Sequence, residues 1–384
     1  MTGVLTGLRV VELAGLGPAP FAAMMLADHG AEVLRVHPLK PRPGIPSIDT
    51  PADVLARGRR SVAVDLKRPE GRELVLDLVA GADALIEGFR PGVTERLGLG
   101  PETCLARNPR LAYGRMTGWG QDGPLSARAG HDLNYISLSG VLDAIGTAER
   151  PVVPINLVGD FGGGGMLMAF GLLAAVLNAR TTGQGQVVDA AMSDGSALLS
   201  AMMHGFRAAG AWSNARESNL LDGGAYYYTT YCCADGRFVA VAAIEPQFHS
   251  ALLQGLGLQT DEFDQADKTR WPEFRAHLAR VFAGQPRDYW AALFAVSDAC
   301  VTPILDWDEA SEHPHNRARE TFIKVAGINQ PAPAPRFSAT PASIPTPPVL
   351  PDGPVMETLA TWGISSARVE SLGANGVLGR WKNP

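Results

Sequence analysis

Apolar and polar residues fall in short alternating blocks over the first 200 positions. Residues 8–13 are an apolar run of buried-strand type, the turn GLGPAP follows, residues 21–29 carry a helical pattern, and residues 31–36 read as a second strand. Residues 61–66, 84–87 and 111–116 predict further strands, with helices over 70–80 and 92–97 between them. Strands separated by helices imply a mostly parallel sheet, and hence a doubly wound α/β domain. The stretch 161–177 holds seventeen residues without a charge, short of the roughly 20 that span a bilayer, and reads as a buried core helix. A last strand is expected over 186–190, with a helix leading away from 192.

The pattern changes from residue 222. Two β-rich runs, YYYTTYCC and RFVAVAAI, meet at an Asp235-Gly236 turn, and helices are expected over 248–256, 271–283 and 288–294. These short runs predict a small mixed α/β domain with little core of its own. Residues 330–354 are proline-rich and predict an extended strap crossing back over the first domain. The expected division is a large domain over 1–200, a linker helix over 201–221, a small domain over 222–315 and a C-terminal strap over 316–384.

Composition narrows the class. With 384 residues, 46% hydrophobic and 19% charged, the chain has the balance of a globular enzyme of two or three domains. A net charge of −6 disfavours nucleic acid as the main partner, so an anionic ligand must meet a local basic cluster. Cys104, Cys232, Cys233 and Cys300 form no CxxC pair, which predicts reduced thiols and, with no secretory signal, a cytoplasmic protein. No membrane association is expected. His313 and His315 lack a convincing third ligand, so no metal is expected either.

The first strand-to-helix turn places Gly15 and Gly17 as in a dinucleotide fingerprint, but Pro20 stands at the third glycine position and the fingerprint fails. The second strand ends in Arg35, His37 and Lys40, where a ribose-binding acid would be needed, so a phosphate-bearing ligand fits more easily. Arg57, Arg59, Arg60 and Lys67, then Arg90 and Arg96, add basic residues at other strand ends, where an open α/β sheet binds ligands. Taken singly, most also read as solvated surface charges. Sharper chemistry sits in His131, Asp132 and Asp160. Asp160 precedes a glycine run and an apolar helix, so a base and an anion-binding helix start would coincide there. A capping aspartate and a core histidine satisfy the same pattern. Glu245 ends an apolar strand, and Tyr226–Tyr228 with Tyr231 read as strand residues of which every second one could line an acyl pocket.

LRVVELAGLGPAP, RSVAVDLK, IEGFRPGVTERLGLG, RMTGWGQ, AGHDLNY, LVGDFGGG, NLLDGGAYYY and AIEPQF together resemble the family III CoA-transferases of CaiB/BaiF type, over residues 5–337, and within them the α-methylacyl-CoA racemase branch. The resemblance implies a Rossmann-like large domain, an interlocked homodimer with the active site shared between subunits, and an acyl-CoA thioester substrate with no separate cofactor. It carries over His131 and Asp160 as the two bases, with Glu245 as partner of the histidine. Acyl-CoA contacts are implied for Val64, Asp65, Leu66 and Lys67, for Gly88, Phe89 and Arg90, for Arg96, and for Gly130, Asp132, Leu133, Asn134 and Tyr135. RVHPLK departs from the family, with Pro38 where members often carry an arginine, and Lys40 or Arg42 would substitute. The activity implied is inversion of the α-carbon of a 2-methylacyl-CoA. The family alternative is CoA transfer with Asp160 as nucleophile, against which stand His131 as a second base and LDGGAYYY in place of the GGGGQ-type loop of formyl-CoA transferases.

Overall fold

The computed structural model describes residues 3–40 and 48–380, which divide into two compact units. The first comprises residues 1–139, 155–199 and 319–384, and the second 140–154 and 200–318. Residues 140–154 therefore leave the first unit, and residues 201–221 join the second.

In the first unit, six parallel strands form the sheet: β1 (Arg9–Leu13), β2 (Glu32–His37), β3 (Arg60–Val64), β4 (Ala84–Glu87), β5 (Ala112–Thr117) and β6 (Gln186–Ala191). Their spatial order is β3-β2-β1-β4-β5-β6, and the short strand Leu378–Gly379 pairs antiparallel with β3 at the edge. The order reverses between β1 and β4, so the loops after these two strands diverge and leave a crevice at their carboxyl ends. Val11, Leu13, Leu34, Val62, Leu85 and Tyr113 are fully buried, as expected of strands covered on both faces.

The first helix, Pro18–Asp28, begins three residues earlier than its apolar pattern suggests, because Pro18 supplies helical φ at the first position and Gly17, with φ 64°, breaks the chain from β1. The apolar stretch is also longer than expected. Residues Leu157–Met166 wind as a π-helix and continue as the α-helix Leu167–Thr182, giving 26 residues that are long and apolar enough to cross a membrane by length and composition. One side of it is core: Met168 and Leu172 pack with Ala112 and Met116 of β5. The other side is open, with Met166, Phe170 (70% exposed) and Leu177 (69%) along one face.

Arg35, Arg57 and Arg59 are not the ligand-facing or solvated charges expected. All three are buried. Glu12, within the apolar run of β1, pairs through Oε1 with Arg35 at 3.2 Å and through Oε2 with Arg59 at 2.5 Å, and Asp53 lies 3.5 Å from Arg35. Burial pulls the Arg59 guanidinium down to about 10, against the opposing pull of Glu12. Arg57 grips Asp28 with two bonds of 3.0 and 2.6 Å and donates to Gln330 and to the Pro331 carbonyl. The proline-rich tract runs over this region, where Gly58 N–H donates to the Thr346 carbonyl. The C-terminal region is more than a strap: it opens with the hairpin Phe322–Val325 and Ile328–Pro331 and holds the helices Val355–Thr361 and Ser366–Ala374.

The second unit builds a three-stranded antiparallel sheet from Tyr228–Cys232, Phe238–Ala242 and Val301–Pro303. Helices Pro246–Gly255, Trp271–Phe282 and Arg287–Phe294 surround it. Contrary to expectation it has a substantial core of its own, in which Tyr226, Tyr231, Trp271, Phe274, Phe282, Trp290 and Phe294 pack together. The large aromatic rings compensate for the short strands. Tyr226 and Tyr231 are therefore core residues rather than pocket lining, and the Tyr226 hydroxyl lies 2.7 Å from His249 Nε2.

Candidate active site

His131 and Asp160 are 29 positions apart in sequence, and a short helix joins their surroundings. Helix Asp132–Leu138 starts directly after His131, whose backbone N–H donates to Asn134 Oδ1 at 3.0 Å while its imidazole stays at the exposed surface. Asp132 turns inward instead, is 6% exposed, and accepts the backbone N–H of Asp160 on Oδ1 at 2.7 Å. The start of one helix thus fixes the backbone of the other. Asp132 also excludes a side chain at Gly159, where a Cβ would lie 2.5 Å from its Oδ1.

Asp160 lies in the first turn of the π-helix, close to the positive helix end. Its Oδ2 accepts a bond from Asn156 Nδ2 at 3.0 Å. Partial burial pushes the carboxyl above its ordinary range, with Asp132 acting in the same direction and the Asn156 bond and His131 opposing it. The sequence missed Asn156, although an amide four positions before the acid was the available signal. The anion-binding helix start expected at the glycine run after Asp160 is not there: the helix begins at Leu157, so the glycines lie inside it, and the Asp160 N–H is committed to Asp132.

Around the crevice, the expected binding residues separate by whether their charges are already engaged. Lys40, Lys67, Arg90 and Arg96 are exposed and make no side-chain hydrogen bond or ion pair among the described residues, whereas Arg35 is spent on Glu12. Arg42 lies outside the described residues. At the end of β3, Val64 is buried and paired with Leu378, Leu66 is half-buried, and Asp65 Oδ1 accepts the Lys67 N–H at 3.0 Å, turning the chain. After β4, the buried Glu87 accepts the Phe89 N–H at 2.7 Å and the Arg115 Nε at 3.0 Å, which fixes the loop of Gly88, Phe89 and Arg90. Burial raises the Glu87 carboxyl above its usual range. Arg96 ends the short helix Val93–Arg96, beside Glu95, whose carboxylate pairs with Arg115 at 2.8 Å.

Tyr135 packs edge-on against Trp119 at 4.7 Å and donates to the Gly130 carbonyl, while Leu133 and Asn134 on the same helix are exposed. Burial, then Asp160, raises the Tyr135 hydroxyl, and Arg90 opposes them. Glu245 belongs to the second unit, where it precedes helix Pro246–Gly255 with an exposed carboxylate. Gln265 Nε2 donates to the carbonyls of Ala243 and Ile244 just before it. Among the described residues, no three His, Cys, Asp or Glu side chains are grouped to hold a metal ion.

A Rossmann-like sheet with exposed cations at its carboxyl edge and a partly desolvated carboxylate near a histidine defines an α/β enzyme equipped for proton chemistry. Residues 5–353 match the profile of CoA-transferase family III, and the chain belongs to that family. It is 49% identical over 342 residues to a Mus musculus protein named alpha-methylacyl-CoA racemase, covering 88% of each chain. The Homo sapiens protein of the same name is 47% identical over 343 residues, covering 88% of this chain and 87% of that one. A solved CAIB/BAIF family protein from Brucella suis superposes with a TM-score of 0.79 at 26% identity, covering 94% of this chain and 100% of that one.

Proposed function

We propose that this chain inverts the α-carbon of 2-methylacyl-CoA thioesters, with His131 and Asp160 as the two bases. The observation that carries this is the Asp160 carboxylate: partly desolvated, held by Asn156, and linked through Asp132 to the helix that follows His131. The similarity to the mouse and human racemases supports the same reaction.

A hydrogen beside a thioester carbonyl is acidic because its loss gives an enolate. One base removes it from one face, and the other, already protonated, returns a proton to the opposite face. Raised proton affinity suits Asp160 to both roles nearer neutrality. The exposed Lys40, Lys67, Arg90 and Arg96 hold the nucleotide phosphates, and Glu245 is assigned as the histidine's partner on the family resemblance alone. Enolisation is acid–base chemistry, so the CoA carried by the substrate is the only group it asks for.

The working form is a homodimer with a shared active site. Its support is the apolar face of Met166, Phe170 and Leu177, continued by exposed Leu198 and Leu199, which we assign to a second copy of the chain rather than to lipid. Four free thiols and the net charge support a reducing compartment, the cytoplasm, and a small-molecule substrate rather than nucleic acid.

The test is to supply a single epimer of a 2-methylacyl-CoA in deuterated water and follow both configuration and label at the α-carbon. Epimerisation with deuterium incorporation is expected. Movement of CoA to an added free acid, with configuration retained and no label, would install covalent transfer through Asp160 instead.

A further inference from the structure

We propose that Asn156 is a positioning residue for Asp160: its amide clamps Oδ2 and leaves Oδ1 as the oxygen that exchanges the α-proton. The inference rests on the racemase reading for its consequence, though the clamp itself does not.

Asn156 Nδ2 donates to Asp160 Oδ2 at 3.0 Å, whereas Oδ1 has no hydrogen bond among the described residues. An ionised carboxylate only accepts, so the amide must present its NH2 edge, and the bond is stronger to the ion than to the neutral acid. Gly17 leaves the room that Oδ2 needs for this placement: a Cβ there would stand 3.2 Å from it. With Oδ2 held by the amide, Oδ1 is the open oxygen.

The chain before Asn156 is built for this placement. Ile155 has φ 58°, a left-handed conformation that β-branched residues rarely adopt, and its side chain is 61% exposed, so core packing does not compensate. Asn156 follows immediately and reaches one turn forward to Asp160.

Other groups near Asp160 do not supply the same function. Asp132 and Tyr135, on helix Asp132–Leu138, and His131 before it act on the carboxylate only through space or its backbone. Charges on the other packed elements are engaged elsewhere: Asp28 with Arg57, Arg115 with Glu87 and Glu95, Arg180 with Asp83, Asp189 with the Gln121 N–H, and Asp194 with the Ser193 hydroxyl. Burial already favours the neutral acid, and among the described residues Asn156 is the one side-chain donor acting against it.

The experiment uses the full chain with 13C-labelled aspartate carboxyls, assigned with Asp160→Asn, and compares wild type with Asn156→Leu, of similar volume but without a donor, and Asn156→Ser, too short to reach. In both variants Asp160 should titrate about one pH unit or more above wild type. The acid limb of kcat/KM should move upward by the same amount and equally for both epimers, since their ratio is fixed by the overall equilibrium, while KM at high pH stays near wild type. An unmoved Asp160 titration in either folded variant overturns the proposal, as does a rate loss that is uniform with pH. The titration needs no substrate, so a wild-type protein that fails to racemise would remove the functional reading while the clamp is still judged.

Discussion

Gly17 faces Asp160 across the crevice so closely that a methyl group on the glycine would come within 3.2 Å of the carboxylate oxygen. The loop after β1 is therefore one wall of the site, and it is held from behind by Arg35, whose Nη2 approaches the Gly15 carbonyl at 3.4 Å.

Gly17→Ala should accordingly injure both fold and chemistry. The position has φ 64° with ψ −116°, a backbone conformation open essentially to glycine, which costs another residue about 1–3 kcal/mol. The new methyl group also displaces Asp160. A lowered melting temperature together with a fall in kcat is expected, whereas Gly7→Ala, also at positive φ but with open space around it, should lower stability alone.

His131→Ala and Asp160→Ala should each abolish net racemisation and leave slow α-proton exchange from one epimer, opposite epimers for the two variants, because a surviving base can relabel only the face it meets. Exchange measured by mass spectrometry in deuterated water decides this. Both variants exchanging the same epimer would refute the two-base assignment.

Arg90→Ala and Arg96→Ala should raise KM for the CoA thioester with little change in kcat, since a charge on the nucleotide end binds ground and transition states alike. Lys40→Ala tests its substitution for the arginine missing at Pro38 in the same assay. Glu12→Gln should behave differently, destabilising the protein by about 3–5 kcal/mol, because it leaves Arg35 and Arg59 buried with too little opposite charge. Denaturant melts separate this loss from a binding effect.

Asp160→Asn should stabilise the protein near neutral pH. The folded carboxyl holds its proton more tightly than the unfolded one, so wild-type stability falls as pH rises from the unfolded value, about 4, through the higher folded value. The amide carries no such penalty. Melting temperatures should diverge across that window and converge below it, where both side chains are neutral; a gap independent of pH would refute the linkage.

Much of the fold was legible because each strand of the first unit is a compact apolar run ended by a turn residue. The buried charges were not. Glu12, Arg35 and Arg59 come from three chain segments, and only the register of β1 beside β2 makes a glutamate inside VVEL a partner for arginines that look like surface charges. Helix length was misjudged because the glycines after Asp160 suggest a loop-like start, whereas the π-turn begins before them at Leu157. Asp132, His131 and Asp160 could be grouped from motif order, but the bond that ties them, a side chain to a backbone N–H across 28 positions, has no periodic signature. Glu245 stood out as the acid ending an apolar strand, while the amide of Gln265 bracing that strand end did not.

The pairing of Leu378–Gly379 with β3, and of Thr346 with Gly58, also sets an order of events during synthesis. β3 leaves the ribosome more than 300 residues before its outer neighbour exists, and the whole of the second unit is translated in between. Until then β3 has an open edge, and Arg57 lacks the Gln330 and Pro331 acceptors that complete its bonding. The nascent first unit thus keeps that edge open until residues 378–379 have been made.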